Sequence, residues 1–263
     1  MYRAFFASAF QTRLAYRSQV WALLLYGFVT VFAKIAIWVA LYAQVGTATV
    51  GGITRSDMIT YAILGGVVLN WDYARFIRTF GRQIQSGDVS VFLLKPVRYP
   101  LMLLAGACGN LAFELLAVQL PVTIVASLFY GLTPPASAFA GGMAIVFWGV
   151  GFLILFLLSA IAAILAFWLL TVFSLEWTLM ALMAIFAGGT LPIWFFPPAA
   201  ADIIRLLPFS FIGYQPMAVY LGKLDPFATL GTLGVGVGWI VVLTGCVMAL
   251  WSRAQNRIVV HGG

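Results

Sequence analysis

The chain has 263 residues, of which 63% are hydrophobic and only 8% charged, and its net charge is +7. Soluble domains carry roughly 25% charged residues, so a soluble globular fold is excluded, in agreement with a mean hydropathy of +1.07. The basic residues stand at the ends of apolar runs rather than in one patch, which argues for membrane orientation and against nucleic acid as a partner.

Residues 1–18 are expected to form an N-terminal interfacial helix. Their apolar patch is too short for a secretory signal, and Arg13 and Arg17 interrupt it. Apolar runs at about 19–44, 57–74, 100–130, 138–172, 175–194 and 227–251 each reach the ~20 residues a membrane helix needs. They are apolar all round, where the strands of a barrel would alternate. The fold expected is therefore an all-α polytopic membrane protein, a single transmembrane domain over 1–263 with six transmembrane helices. The third and fourth runs exceed one bilayer thickness, so they tilt or project. Between the first two runs, "QVGTATVGGITRSD" reads as a loop, and "YGLTPPAS" as a proline-containing turn. Ser174 is expected to cap the fifth span, with Glu176 near its positive end.

Counting Lys and Arg by side sets the orientation. With both termini in the cytosol, Arg3, Arg13, Arg17, Arg75, Arg78, Arg82, Lys95, Arg98, Arg253 and Arg257 lie inside, and only Arg55, Arg205 and Lys223 outside. Trp21, Trp71, Trp168, Trp177 and Trp251 then fall at cytosolic span ends, where indoles favour the headgroup level.

The inner loop 81–99, "GRQIQSGDVSVFLLKPVRY", concentrates charge. Arg75, Arg78 and Arg82 share one face of a helix leaving the second span, a face suited to anchoring on lipid phosphates. Ser86, Gly87 and Asp88 favour a helix start and Pro96 a stop. About two turns remain, with Val89, Phe92 and Leu93 on one side. Such a helix fits either a partner's groove or the bilayer surface.

Residues 195–224 lie within a stretch holding Pro192, Pro197, Pro198, Pro208, Pro216 and Pro226, which forbids one continuous helix. "AAADIIRLL" and "PMAVYLGKL" are expected as two short helices, with Pro198 and Pro216 near their starts. Together they make a re-entrant outer hairpin before span six.

Lys34 and Glu114 are the charged residues inside spans, and such residues are candidates for function. Counted from the inner ends of their spans they stand at comparable height, so they are expected either to pair or to face one central path. Asp72 and Arg75, at i and i+3, are expected as a local pair. Gly231, Gly234, Gly238 and Gly245 share a face of span six suited to close helix packing. Cys108 and Cys246 read as small buried residues, and no metal-ligating cluster is present in the sequence. A G-x-x-x-x-G-K-[ST] motif is absent, so no P-loop hydrolysis of ATP is expected in this chain.

"IQSGDVSVFLLKPVRYP" resembles the coupling loop of permease subunits of type-2 ABC exporters, in a small bacterial six-span branch with an I-x-x-G-[DE] element followed by LL-[KR]-P. "LPFSFIGYQPMAVYLGKL", residues 207–224, is similar to that branch's segment before the last span. The resemblance implies a non-enzymatic permease in a bacterial inner membrane, paired with a second permease, preferably a different one. It implies two cytosolic ATPase subunits that hold ATP and Mg, this chain having no cofactor of its own. It makes 88–94 a coupling helix, with Arg82, Lys95 and Arg98 available to acidic groups of the ATPase. It also makes the hairpin, with Pro197, Pro198, Pro208, Phe209 and Pro216, an outer gate. The competing expectation is a secondary transporter driven by an ion gradient, for which Glu114 is the candidate coupling residue.

Overall fold

The computed structural model describes residues 2–46, 49–86, 89, 98–169 and 172–260, the last six through their backbone alone. A long apolar run satisfies its backbone in lipid only by becoming helical. Four helices among the described residues are long and apolar enough to cross a membrane: Arg17–Val45, Tyr99–Tyr130, Ala138–Leu165 and Pro226–Ala254. They match the first, third, fourth and sixth runs. The helix Val172–Phe186 is shorter but apolar. It begins before Ser174, which therefore lies inside the helix and is not its cap.

In chain order the elements are α1 (Tyr2–Ala15), α2 (Arg17–Val45), β1 (Thr49–Val50), β2 (Ile53–Thr54), α3 (Arg55–Leu64) and α4 (Tyr73–Gln85). There follow α5 (Tyr99–Glu114), a π-helical turn (Leu115–Gln119), α6 (Leu120–Tyr130), α7 (Ala138–Leu165) and α8 (Val172–Phe186). The chain closes with α9 (Pro198–Leu206), α10 (Ser210–Tyr220) and α11 (Pro226–Val260). The Gly/Thr-rich loop contains a two-residue hairpin in which Val50 pairs with Ile53. Gly51 and Gly52 take φ of 59° and 76° at its turn, a conformation that favours glycine at both positions.

The expected second span, 57–74, is not one helix. α3 stops at Leu64, turns occupy 65–70, and α4 restarts at Tyr73. Gly65 and Gly66 propagate a helix poorly, and the Asp72 carboxylate caps the restart by accepting from the Arg75 N–H at 3.0 Å. The neighbouring span is deformed at a similar level. Pro121 has no N–H and its ring crowds the preceding turn. The helix widens there, and the Leu120 N–H reaches back five residues to Leu115 O. Gln119 in this widened turn is buried and donates to the Ile63 carbonyl at 2.8 Å, while accepting from Asn70 Nδ2 at 3.0 Å. One side chain thus satisfies backbone that the broken helix leaves open. Gln119→Leu is expected to cost about 1–3 kcal/mol by stranding those groups, read as a lower thermal midpoint of the purified protein.

α7 is the central element, packed against α4, α8, α10 and α11. Its first half faces the hairpin: Phe147 stacks on Phe211 at 6.3 Å. Its second half faces α4: Phe152 meets Trp71 edge-on at 5.3 Å, and Phe156 lies 5.3 Å from Phe76. The molecule therefore has a hairpin end and a loop end. Trp71 is fully buried in this contact, not placed at a headgroup surface as its position in the sequence suggests.

Candidate functional site

The loop 81–99 springs from a braced base. Ile77, Phe80 and Ile84 point inward from α4, while Arg75, Arg78 and Arg82 remain exposed on its other side. Arg78 makes an ion pair with Glu176 of α8. Gln85 donates to the Ala166 carbonyl beyond α7 at 3.1 Å. At the far side of the loop, Tyr99 donates to Gln83 Oε1 at 3.1 Å and stacks on Trp251 of α11 at 5.6 Å. The Arg98 N–H donates to the Tyr2 hydroxyl at 3.3 Å. Both ends of the loop are thereby tied to α1, α8 and α11.

Of the expected docking residues, Arg82 and Arg98 are exposed, as a docking surface requires. Val89 is fully buried in this chain's own core, so it is not free to seat in a partner's groove; it faces inward with Ile84. Asp88, Phe92, Leu93 and Lys95 lie outside the described residues.

The deepest charge cluster joins residues that lie far apart in sequence. α1 runs along α5 because Gly109 admits it: a Cβ there would stand 2.3 Å from Phe6 O. Phe10 meets Phe113 edge-on at 6.0 Å. One turn further on, buried Arg13 reaches Asp72 Oδ2 at 3.1 Å, Asn110 Oδ1 at 3.4 Å and Glu114 Oε1 at 3.5 Å. A cavity of about 220 Å³ opens beside it, lined by Arg13, Asp72, Arg75 and Asn110.

This arrangement corrects two expectations. Asp72 caps the backbone of α4 and pairs with Arg13, not with the Arg75 side chain. Glu114 pairs with Arg13, not with Lys34. Phe32, two residues before Lys34, packs against Phe129 and Tyr130. At 1.5 Å per residue that level is roughly 20 Å along the axis from Glu114. Span three begins with a long lead-in beside α1, and counting from its first residue therefore misplaced Glu114. Arg13 was missed as a site residue. The signal for it was its alignment with Phe6 and Phe10 at helical spacing.

At the hairpin end, Pro197 and Pro198 open α9, whose Ala201 and Ile204 are buried. Phe209 packs on Phe186 at 6.0 Å. α10 starts at Ser210, so Pro216 lies inside it and not at its start. Every residue of α10 is buried. It is wedged against α7, where a Cβ at Gly151 would meet Phe211 O at 2.4 Å, and against Ala187, whose carbonyl lies 2.6 Å from a Cβ at Gly213. Trp239 of α11 donates to the Leu206 carbonyl at 2.7 Å and holds the hairpin to the last helix. The glycines expected to pack make no close contact inside this chain. Cβ atoms at Gly231, Gly234, Gly238 and Gly245 would meet nothing within 4 Å, whereas Gly236 packs on Phe211 and Val150. The glycine face of α11 is open within this chain.

The family model described as "ABC-2 family transporter protein" matches residues 28–262. The chain belongs to this family. A comparison with curated proteins finds no match. As an ABC-2 permease the chain is a membrane protein that works with ABC ATPase partners. α1, with Arg13, precedes the residues matched to the ABC-2 family.

Proposed function

We propose that this ABC-2 permease is an export subunit of the bacterial cytoplasmic membrane, with both termini and the loop end in the cytosol and the hairpin outside. It crosses the membrane six times, the second crossing made by α3, the turns after it and the start of α4. Two ATPase subunits hold ATP and Mg and perform the hydrolysis; this chain carries the motion. A second permease, a different chain in preference to a copy, completes the path and seats on the open glycine face of α11. The hairpin, held between α7 and α11, acts as the outer gate.

The observation that carries this reading is the bracing of loop 81–99. A push on the loop passes through Arg78–Glu176 into α8 and through Tyr99–Trp251 into α11. It also passes along the Phe76 and Trp71 contacts into α7. The break after Gly65 and the widened turn before Pro121 are the places where α4 and α5 bend relative to the hairpin end.

Site-directed crosslinking tests it. With Cys108 and Cys246 replaced and a cysteine at Val91, membranes containing the host ATPases are expected to yield a crosslinked P-loop ATPase band. Arg82→Glu is expected to weaken that band. Crosslinks to lipid alone, with transport that follows a proton or sodium gradient without ATP, would overturn the reading.

A further inference from the structure

The hairpin end contains a cavity of about 540 Å³ between the β-hairpin, α9, α10 and the start of α11, within the usual size of a ligand pocket, roughly 300–1,000 Å³. Its wall has an uneven chemistry. Arg205 and Lys223 line it, and none of the residues that line it is acidic. These are two of only three basic residues that the charge bias places on this side of the membrane, Arg55 being the third. Orientation disfavours cations here, so their meeting at one cavity calls for a local reason.

The two cations are also incompletely satisfied. Arg205 Nη1 donates to Asp202 at 3.1 Å, but its Nε is buried with no hydrogen-bond partner. Lys223 bonds Asp57 Oδ2 at 3.3 Å and the Gly52 carbonyl at 3.5 Å, which leaves one of its three N–H groups open. The Arg205 main chain is held in place, since its carbonyl accepts from Ser210 Oγ at 2.9 Å and Gln215 Nε2 at 3.1 Å. The rest of the lining is mixed, with apolar Phe211, Leu224 and Val235 beside polar Tyr214, Gln215 and Thr232. Beside it Phe227 and Leu230 of α11 are 88% and 54% exposed, as befits a helix that borders hydrocarbon.

We infer that this cavity binds an anionic amphiphile, one phosphate- or carboxylate-bearing headgroup on Arg205 and Lys223, with its hydrocarbon tail along Phe211, Leu224 and Val235. An acceptor-only headgroup pairs with the N–H groups that the two cations keep available, and the apolar part of the lining accommodates a tail. The ligand's source is a lipid of the surrounding leaflet; a soluble phosphate shares the headgroup chemistry and is the competing occupant that the test separates. The placement of the site in the outer leaflet rests on the orientation proposed above; the binding chemistry does not.

The test is lipid retention by the full purified chain. Protein in nanodiscs of equal phosphatidylglycerol and phosphatidylcholine is extracted into mild detergent and its bound lipid counted by native mass spectrometry. Phosphatidylglycerol is expected to be retained over phosphatidylcholine by about tenfold, the factor one charge-assisted contact supplies. Arg205→Gln with Lys223→Gln is expected to abolish the preference. Gly231→Leu, on the cavity wall at a position where a Cβ meets nothing within 4 Å, is expected to abolish retention with both charges intact. Gly234→Leu, equally free of clashes but off the cavity wall, is expected to retain lipid as the unmodified chain does. Equal retention of both lipids, or an undiminished preference in Gly231→Leu, would overturn the inference. Displacement of phosphatidylglycerol by inorganic phosphate would overturn the lipid source and assign the site to a soluble anion. Labelling of Asp225→Cys by an impermeant thiol reagent in whole cells checks the orientation separately.

Discussion

Arg13→Ala is expected to destabilise the permease by about 3–5 kcal/mol, the cost of breaking a buried ion pair from one side. The guanidinium is 7% exposed and the Glu114 side chain 5%. Removing the cation leaves Glu114 buried beside Asp72, with only the exposed Arg75 across the adjoining cavity to offset their charge. α1 also loses its buried polar tie to α4 and α5, and keeps apolar contacts such as Phe10 on Phe113 together with the Tyr2 hydroxyl on the Arg98 N–H. Arg13→Lys is expected to recover only part of the loss, because one ammonium does not reproduce a fork that serves two carboxylates and an amide. The decisive comparison is the pair Arg13→Gln with Glu114→Gln. If the cluster acts as a unit, the double variant is less destabilised than the sum of the two single variants. Thermal unfolding of the detergent-purified protein measures all four. Additive losses would show that Arg13 and Glu114 stabilise the fold independently.

Gly151→Val is expected to prevent α10 from seating. The atoms that a Cβ would meet are Phe211 O at 2.4 Å and Ile212 Cα at 3.1 Å. Both belong to backbone, which does not step aside as a flexible side chain does. Overpacking of a tight contact costs about 1–3 kcal/mol when side chains yield, and here a wholly buried helix has to move instead. The expected result is loss of monodisperse protein on size exclusion, or a thermal midpoint well below that of the unmodified chain. Gly234→Val on the open face of α11 is the contrast. Nothing lies within 4 Å of its Cβ, so the single chain is expected to fold normally. If a second permease seats on that face, the defect will instead appear as loss of the permease pair.

Much of this architecture is legible residue by residue. Long proline-free runs become helices because lipid leaves the backbone no other partner, and α2, α7 and α11 begin within two residues of the expected boundaries. Six prolines between 192 and 226 forecast a broken hairpin before the last span, since each removes a donor and fixes φ. The two loop motifs pointed to the family that the match over residues 28–262 establishes. These properties follow from local covalent chemistry, and a chain reports that chemistry directly.

What the sequence left open concerns which faces meet. In a soluble helix an apolar stripe marks the buried side; in a membrane helix every face is apolar, and that signal vanishes. Hence Gly151, Gly213 and Gly236 are close contacts within the chain while Gly231 and Gly234 make none there, and Trp71 and Val89 turned inward. The same holds for charge. Asp72 had an arginine three residues away, yet its side-chain partner is Arg13, delivered by the passage of α1 along Gly109. Spacing along the chain describes neighbours within one helix, whereas burial forces each remaining charge to find a partner wherever another helix supplies it. Helix content and the broken hairpin were therefore decided by the residues themselves. The ion cluster, the seating of α10 and the cavity beneath Arg205 arise only when separate helices pack together.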